Sequence, residues 1–162
     1  MENILILSDI HARPRRAAEA IEQHPECETV IFLGDGARHV DYLDAEFPER
    51  IFVSVRGNCD TFLDGVEETE LVLDIAGHRL FLCHGHTRSV KGGTGALLRA
   101  AKEKSCDIAL FGHTHLPHEE YDSESGIYLF NPGSVGDPRN GRCTYGILSL
   151  DGKNVLFSVG EV

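Results

Sequence analysis

Seven side chains able to hold a cation close apolar runs in this chain: Asp9, His11, Asp35, Asn58, His84, His113 and His115. The densest group is Phe111-Gly112-His113-Thr114-His115, which follows the apolar run Cys106-Asp107-Ile108-Ala109-Leu110. Gly112 interrupts the expected strand, so both imidazoles can turn toward one centre beyond the sheet edge. Imidazoles paired in this way are candidate metal ligands. The pattern returns as Asp9-Ile10-His11, Gly34-Asp35, Gly57-Asn58-Cys59-Asp60 and His84-Gly85-His86. One cation takes roughly four to six ligands, so seven donors suit two sites sharing a bridging group. Asp35, a lone carboxylate with two oxygens, is the expected bridge. Two cations about 4 Å apart can clamp a phosphate and activate a shared water. The mixed oxygen and nitrogen set favours Mn, Fe, Ni, Co or Zn over Mg or Ca. The chemistry predicted is metal-dependent hydrolysis.

The elements that must position these residues follow from periodicity. Ile4 to Ser8, Thr29 to Leu33 and Ile51 to Val55 are short, nearly continuous apolar runs, expected as strands, the first two buried. Pro14 opens a helix through Glu22, and a second helix from His39 to Glu46 should bury Val40, Leu43 and Phe47. Glu68 to Ala76 and His78 to Cys83 predict a hairpin. Ala96 to Glu103 reads as a helix, and Ile108 to Phe111 as the next strand. Further strands are expected at 118–123, 127–130, 143–150 and 155–159, the last two joined through Asp151-Gly152. The first half is thus βαβαβ and the second rich in hairpins. Two sheets covered by helices fit this better than one open parallel sheet. In α/β architecture, functional groups gather beyond the carboxyl ends of strands, where each polar cluster falls.

At 162 residues the chain fits one domain, 1–162, with room for a substantial core. Its formal charge of −11 argues against a broad basic surface for nucleic acid. No apolar run has the length of a membrane span, and Met1-Glu2-Asn3-Ile4 enters a strand without a basic leader, so a cytoplasmic setting is expected. Five scattered cysteines without CxxC spacing suit a reducing compartment and, Cys59 excepted, small core positions.

Taken in order, these blocks resemble the calcineurin-like metallophosphoesterases, most closely the small bacterial and archaeal phosphodiesterase branch. The DxH, GD, GN, HG and GHTH blocks, then Asn131-Pro132-Gly133-Ser134, span residues 4 to about 149. The resemblance implies a four-layer α-β-β-α sandwich of two mixed sheets flanked by helices. It implies two divalent transition-metal ions, Mn foremost: Asp9, His11 and His115 on one, Asn58, His84 and His113 on the other, Asp35 between. A hydroxide shared by the ions would attack phosphorus in line. Asn58 would also donate to the phosphate, and His86 would line the site as a donor or support. A small phosphorylated substrate and a homodimer or homotetramer are implied too.

Many members carry histidine after the asparagine; here Cys59 stands there, a poor proton donor, and a nucleophilic role for it is not expected. Asp60 is expected to orient His11 or another ring. Arg13 and Arg38 are candidate phosphate contacts, in competition with Arg15, Arg16, Arg56, Arg139 and Arg142. Blander roles compete as well. Asp9 can cap a helix, Asn58 can hold a turn, His86 and His39 can be solvated, and His24, His78 and His118 suit surface or hairpin positions. The alternative function is a non-catalytic metal-binding or protein-binding scaffold, since a eukaryotic trafficking protein resembles the same fold.

Overall fold

The computed structural model describes residues 1–61, 64–66 and 68–162. Its strands and helices follow the expected order. Strand β1 (Glu2–Leu7), helix α1 (Pro14–Gln23), β2 (Thr29–Phe32), α2 (Val40–Glu46) and β3 (Ile51–Ser54) form the first half. Then come β4 (Glu70–Ile75), β5 (His78–Cys83), α3 (Gly95–Glu103), β6 (Ile108–Leu110), β7 (Pro117–Asp122), β8 (Ile127–Pro132), β9 (Thr144–Asp151) and β10 (Asn154–Glu161). One five-stranded sheet has the order β10-β9-β1-β2-β3 and the other β4-β5-β6-β8-β7. In the first, β1, β2 and β3 run parallel, and β9 returns antiparallel to β1. In the second, β5, β6 and β8 run parallel, with β4 and β7 antiparallel at the edges.

Alternation of side chains builds four layers from these two sheets. Ile4 and Ile6 of β1 face inward and join Ile31, Leu80, Leu82, Ile108, Leu110 and Phe130 in a core between the sheets. Their neighbours Leu5 and Leu7 face the other way, packing with Val30 and Phe32 on Ala17, Ala20 and Ile21 of α1 and Leu43 of α2. On the far side, Phe81, Ala109, Phe111 and Leu129 pack on Leu97, Ala100 and Ala101 of α3. The parallel strands are covered on both faces, which is why they read as continuous apolar runs. The layers are helix, sheet, sheet, helix.

One expectation needs correction, and the alternatives for two other residues resolve. Residues 37–39 form a separate 3₁₀ turn before α2, and His39 is half-buried with its Nε2 on the His11 carbonyl at 2.9 Å, so it is not a solvated residue. His78 is buried: its ring bonds Asp107 at 2.6 Å and the Gly152 carbonyl at 2.9 Å, tying β5 to the β9–β10 turn. Asp9 caps nothing, because α1 begins at Pro14 with Arg13 before it.

The core between the sheets holds the two halves of the chain together. Leu82→Ala, at a fully buried position in it, is expected to cost about 2–5 kcal/mol in urea unfolding. Leu156→Ala, on the exposed side of β10 at 68% exposure, should stay within about 0.5 kcal/mol. Equal losses would show that the sheets do not depend on this packing.

Candidate metal centre

Both sets of parallel strands present their carboxyl ends to one rim. Asp9, Asp35 and Asn58 follow β1, β2 and β3, while His84 and His113 follow β5 and β6. Backbone bonds lace the loops together. The Asp9 N–H donates to the Gly34 carbonyl at 2.9 Å, His11 N–H to Asp35 at 2.8 Å, and Gly112 N–H to His84 at 3.0 Å. The two sheets meet where His84 Nδ1 donates to the Leu33 carbonyl at 2.7 Å and the His113 N–H donates to Asp9 Oδ2 at 3.1 Å.

The chain must bend sharply to aim these side chains. Five of the eight non-glycine residues with positive φ among the described residues are Asp9, His11, Asp35, His113 and His115, at 49° to 69°. Such a conformation is disfavoured for residues with a Cβ and concentrates at functional sites. Neighbouring glycines make the turns possible. A Cβ on Gly112 would overlap Ser8 Oγ, and one on Gly57 would overlap the Asp35 carboxylate.

Two groups of donors result. Asp9, His11 and His115 offer ligand atoms within 4.8 Å of one another, as do Asp35, His84 and His113. Asp35 belongs also to a group with His11 and Cys59, so its carboxylate reaches toward both sets. Asp9 Oδ2 accepts from Ser8 Oγ at 2.6 Å and from the His113 N–H, but buried Oδ1 has no hydrogen-bond partner. Three imidazole nitrogens surround that oxygen: Nε2 of His115 at 3.1 Å, of His11 at 3.8 Å and of His84 at 3.9 Å.

The tautomers explain why this matters. His84 and His115 each give an Nδ1 proton to a backbone carbonyl, of Leu33 and of Asp137. In each neutral ring, Nε2 then carries a lone pair. Those lone pairs face the oxygens of Asp9 and Asp35, His84 Nε2 lying 3.3 Å from Asp35 Oδ2. His84 Nε2 itself is buried without a hydrogen-bond partner. Acceptors facing acceptors in a buried place are stable only with a cation or protons between them. The donor set therefore fits divalent metal ions.

The titration behaviour of the metal-free site says the same. Burial disfavours a charged His84, yet its contact with Asp35 and the charge on Asp9 outweigh this and raise its pKa above 6.5. The Asp9 contact likewise raises His115, against burial. Burial would raise the Asp35 carboxyl, but His84 and the Cys59 N–H hold it well below the usual carboxylate range. Burial and the neighbouring His84 charge push His113 down to about 4 and lower His86. The Cys59 thiol is pushed up to about 11 by burial and Asp35, so it stays protonated at neutral pH.

Asn58 lies at the exposed rim, its Nδ2 3.3 Å from Cys59 Sγ, which reaches the His11 and Asp35 group. His86 stands over the second group, its ring 5.5 Å from that of His84 and 6.2 Å from that of His113, with Nδ1 buried and lacking a hydrogen-bond partner. Arg38 lines a cavity of about 140 Å³ with His11, Asp35, Cys59 and Asp60, whereas Arg13 lies on a separate surface beside Arg15 and Arg16.

Residues outside the ligand set brace the loops, Asn131 and Ser134 as the scaffold that the family resemblance implies and Asp60 in a different way from that expected. Asp60 orients no ring. Its two oxygens accept four backbone N–H groups, those of Asp35, Gly36, Ala37 and Gly57, at 2.7–2.9 Å, fixing the loop that carries Asp35. Asn131 holds the other loop by donating to the Gly112 carbonyl at 2.9 Å and to Thr114 Oγ1 at 3.0 Å. Ser134 Oγ donates to the Asp9 carbonyl at 2.9 Å. These are single polar residues acting on distant backbone, a role with no local signature except that Gly-Asn-Cys-Asp and Asn-Pro-Gly-Ser each combine a turn with acceptors.

The shifts set the pH dependence of the metal-stripped protein. His113 and His86, lowered on folding, bind fewer protons folded than unfolded, so their contribution grows as pH rises toward 6.5. His84 and His115, raised on folding, contribute fully below 6.5 and lose that contribution as pH rises through their folded values. The thermal midpoint of stripped protein should therefore peak near pH 6.5. Added Mn²⁺ should displace the protons and move the peak to higher pH. A profile unchanged by Mn²⁺ would contradict cation binding at these rings.

Comparisons with known proteins agree with this geometry. A family model described as the calcineurin-like phosphoesterase superfamily domain matches residues 2–153. The chain is 30% identical over 152 residues to the probable metallophosphoesterase YsnB of Bacillus subtilis, covering 92% of this chain and 85% of that one. It is 31% identical over 179 residues to phosphodiesterase YfcE of Escherichia coli, covering 96% and 92%. Among solved structures, Vacuolar Protein Sorting 29 of Cryptosporidium parvum superposes with a TM-score of 0.78 at 18% identity, over 99% of this chain and 97% of that one, a likeness of fold. With the five motif blocks gathered at one rim and the family model spanning residues 2–153, the chain belongs to the calcineurin-like phosphoesterase superfamily.

Proposed function

We propose that this metal-dependent phosphoesterase is a cytoplasmic, single-domain phosphodiesterase with a two-metal centre. The observation that carries it is the convergence of imidazole nitrogens and carboxylate oxygens around Asp9 Oδ1 and Asp35, where Asp9 Oδ1 and His84 Nε2 lack hydrogen-bond partners. Asp9, His11 and His115 would hold one ion, and Asn58, His84 and His113 the other, with Asp35 offering an oxygen to each. Bound there, two cations would supply Lewis acidity to the phosphate oxygens and would acidify a water for attack on phosphorus.

The chain's own groups do the rest. The carbonyls of Leu33 and Asp137 fix the His84 and His115 tautomers, so that Nε2 faces the centre. The Asp60 clamp keeps Asp35 where its two oxygens reach both donor groups. Asn58 and His86 are the donors to phosphate oxygens, and Arg38 adds positive charge at the mouth of the centre. Cys59, a weak donor held as thiol, gives a departing alkoxide little help. Substrates whose leaving oxygen is already acidic, such as aryl esters, are therefore favoured.

The scaffold alternative draws on the likeness to the vacuolar sorting protein. Against it stands the complete donor set. Among the described residues no helix is long and apolar enough to cross a membrane.

Metal-stripped protein should not hydrolyse bis(4-nitrophenyl) phosphate and should regain turnover with Mn²⁺. Asp35→Asn or His113→Ala should lower the restored rate by at least about a hundredfold. Metal analysis of loaded protein should give a stoichiometry near two. Asp60→Ala, which touches no ion, should weaken Mn²⁺ binding by about 10–100-fold. Full metal loading with no turnover on mono- or diesters would favour the scaffold; wild-type rates in both ligand variants would remove the proposed centre.

A further inference from the structure

A groove lies along the loop that carries His113 and His115. Its volume is about 380 Å³, and Val90, Phe111, Leu116 and Pro117 supply an apolar lining interrupted by Lys91, Thr94, Thr114 and His118. A contiguous cavity shares Val90, Lys91, Thr114 and Leu116 and ends at Arg139. Thr114, the residue between the two imidazoles, lines both. The groove therefore adjoins the loop that carries the centre's two imidazoles and has the size and mixed lining of a small-molecule site.

Its walls are fixed. Thr114 is held by Asn131 at 3.0 Å and itself donates to the Leu116 carbonyl at 3.2 Å, while the Arg139 N–H donates to the His115 carbonyl at 3.3 Å. Leu116 is 44% exposed, a large apolar side chain facing solvent at the rim. One end of the groove is positively charged although the chain carries a net −11. Arg15, Arg16, Arg50, Arg79, Arg88 and Arg142 all pair with carboxylates. Among the described residues, Lys91 and Arg139 make no ion pair. At the other end, His118 is engaged by Glu120 at 3.0 Å, so an anion is read at the Lys91–Arg139 end.

We propose that this groove binds the second ester arm of a phosphodiester, an apolar chain or ring on Leu116 and Val90 carrying an anionic group that Lys91 and Arg139 receive. The substrate class is thus a phosphodiester with one amphipathic, acid-bearing arm. This rests on the phosphodiesterase assignment above and specifies what that site selects.

The test uses Mn²⁺-loaded enzyme and three 4-nitrophenyl phosphodiesters whose second arm is methyl, hexyl or 5-carboxypentyl. The wild-type kcat/KM should rise in that order. Leu116→Ala should lower the hexyl-to-methyl ratio about fivefold. The Lys91→Ala/Arg139→Ala double variant should lower the carboxypentyl-to-hexyl ratio about tenfold while keeping the hexyl-to-methyl ratio. Ratios within one preparation are insensitive to partial misfolding, and the wild-type order stands without the variants. Turnover of all three diesters at equal kcat/KM would overturn the groove and leave the phosphodiesterase assignment standing. Failure to cleave any of them would overturn both.

Discussion

One buried oxygen, Asp9 Oδ1, sets the terms for this fold. Three imidazole nitrogens approach it within 4 Å, and no hydrogen bond satisfies it. Two of those rings, His84 and His115, have their protons committed elsewhere, to backbone carbonyls on the far side of the ring. What remains is a pocket where ring nitrogens and carboxylate oxygens face one another and negative charge collects. Positive charge must enter it, and the geometry suits ions better than protons, because several acceptors converge at once.

Holding such a pocket open opposes local preference. Asp9, His11, Asp35, His113 and His115 all take left-handed backbone conformations, each costing on the order of 1–3 kcal/mol. The compensation is distributed. Asp60 satisfies four N–H groups at the Asp35 turn, Ser8 and the His113 N–H hold Asp9, and Asn131 and Ser134 brace the turns around it. Beneath them, three apolar cores fix two sheets whose parallel strands end at one rim. Rigid strands absorb strain that flexible loops would release by relaxing.

The fold by itself does not decide function, since a vacuolar sorting protein shares it at a TM-score of 0.78. What separates the two possibilities is chemistry at the rim. Here the acidic chain places Arg38 at the mouth and Lys91 and Arg139 along the adjoining groove. Positive charge at an opening in a surface of net negative charge favours the approach of an anion.

The donor residues, their order and the strand that precedes each were legible in the sequence, because buried parallel strands leave continuous apolar runs and glycine marks where they break. The alternation of Ile4 and Ile6 with Leu5 and Leu7 also foretold strands covered on both faces. Which carboxylate oxygen is left bare, which ring nitrogen faces it, and that Asp60 clamps backbone instead of a ring were set by tertiary structure alone. So were the burial of His78 and the separation of Arg13 from Arg38. Residues 9, 35, 84 and 113 meet only after two sheets stack, and sequence spacing carries no record of a hydrogen bond from one sheet's edge to the other's. Local pattern specifies which groups stand at the ends of strands; packing between sheets decides what those groups face.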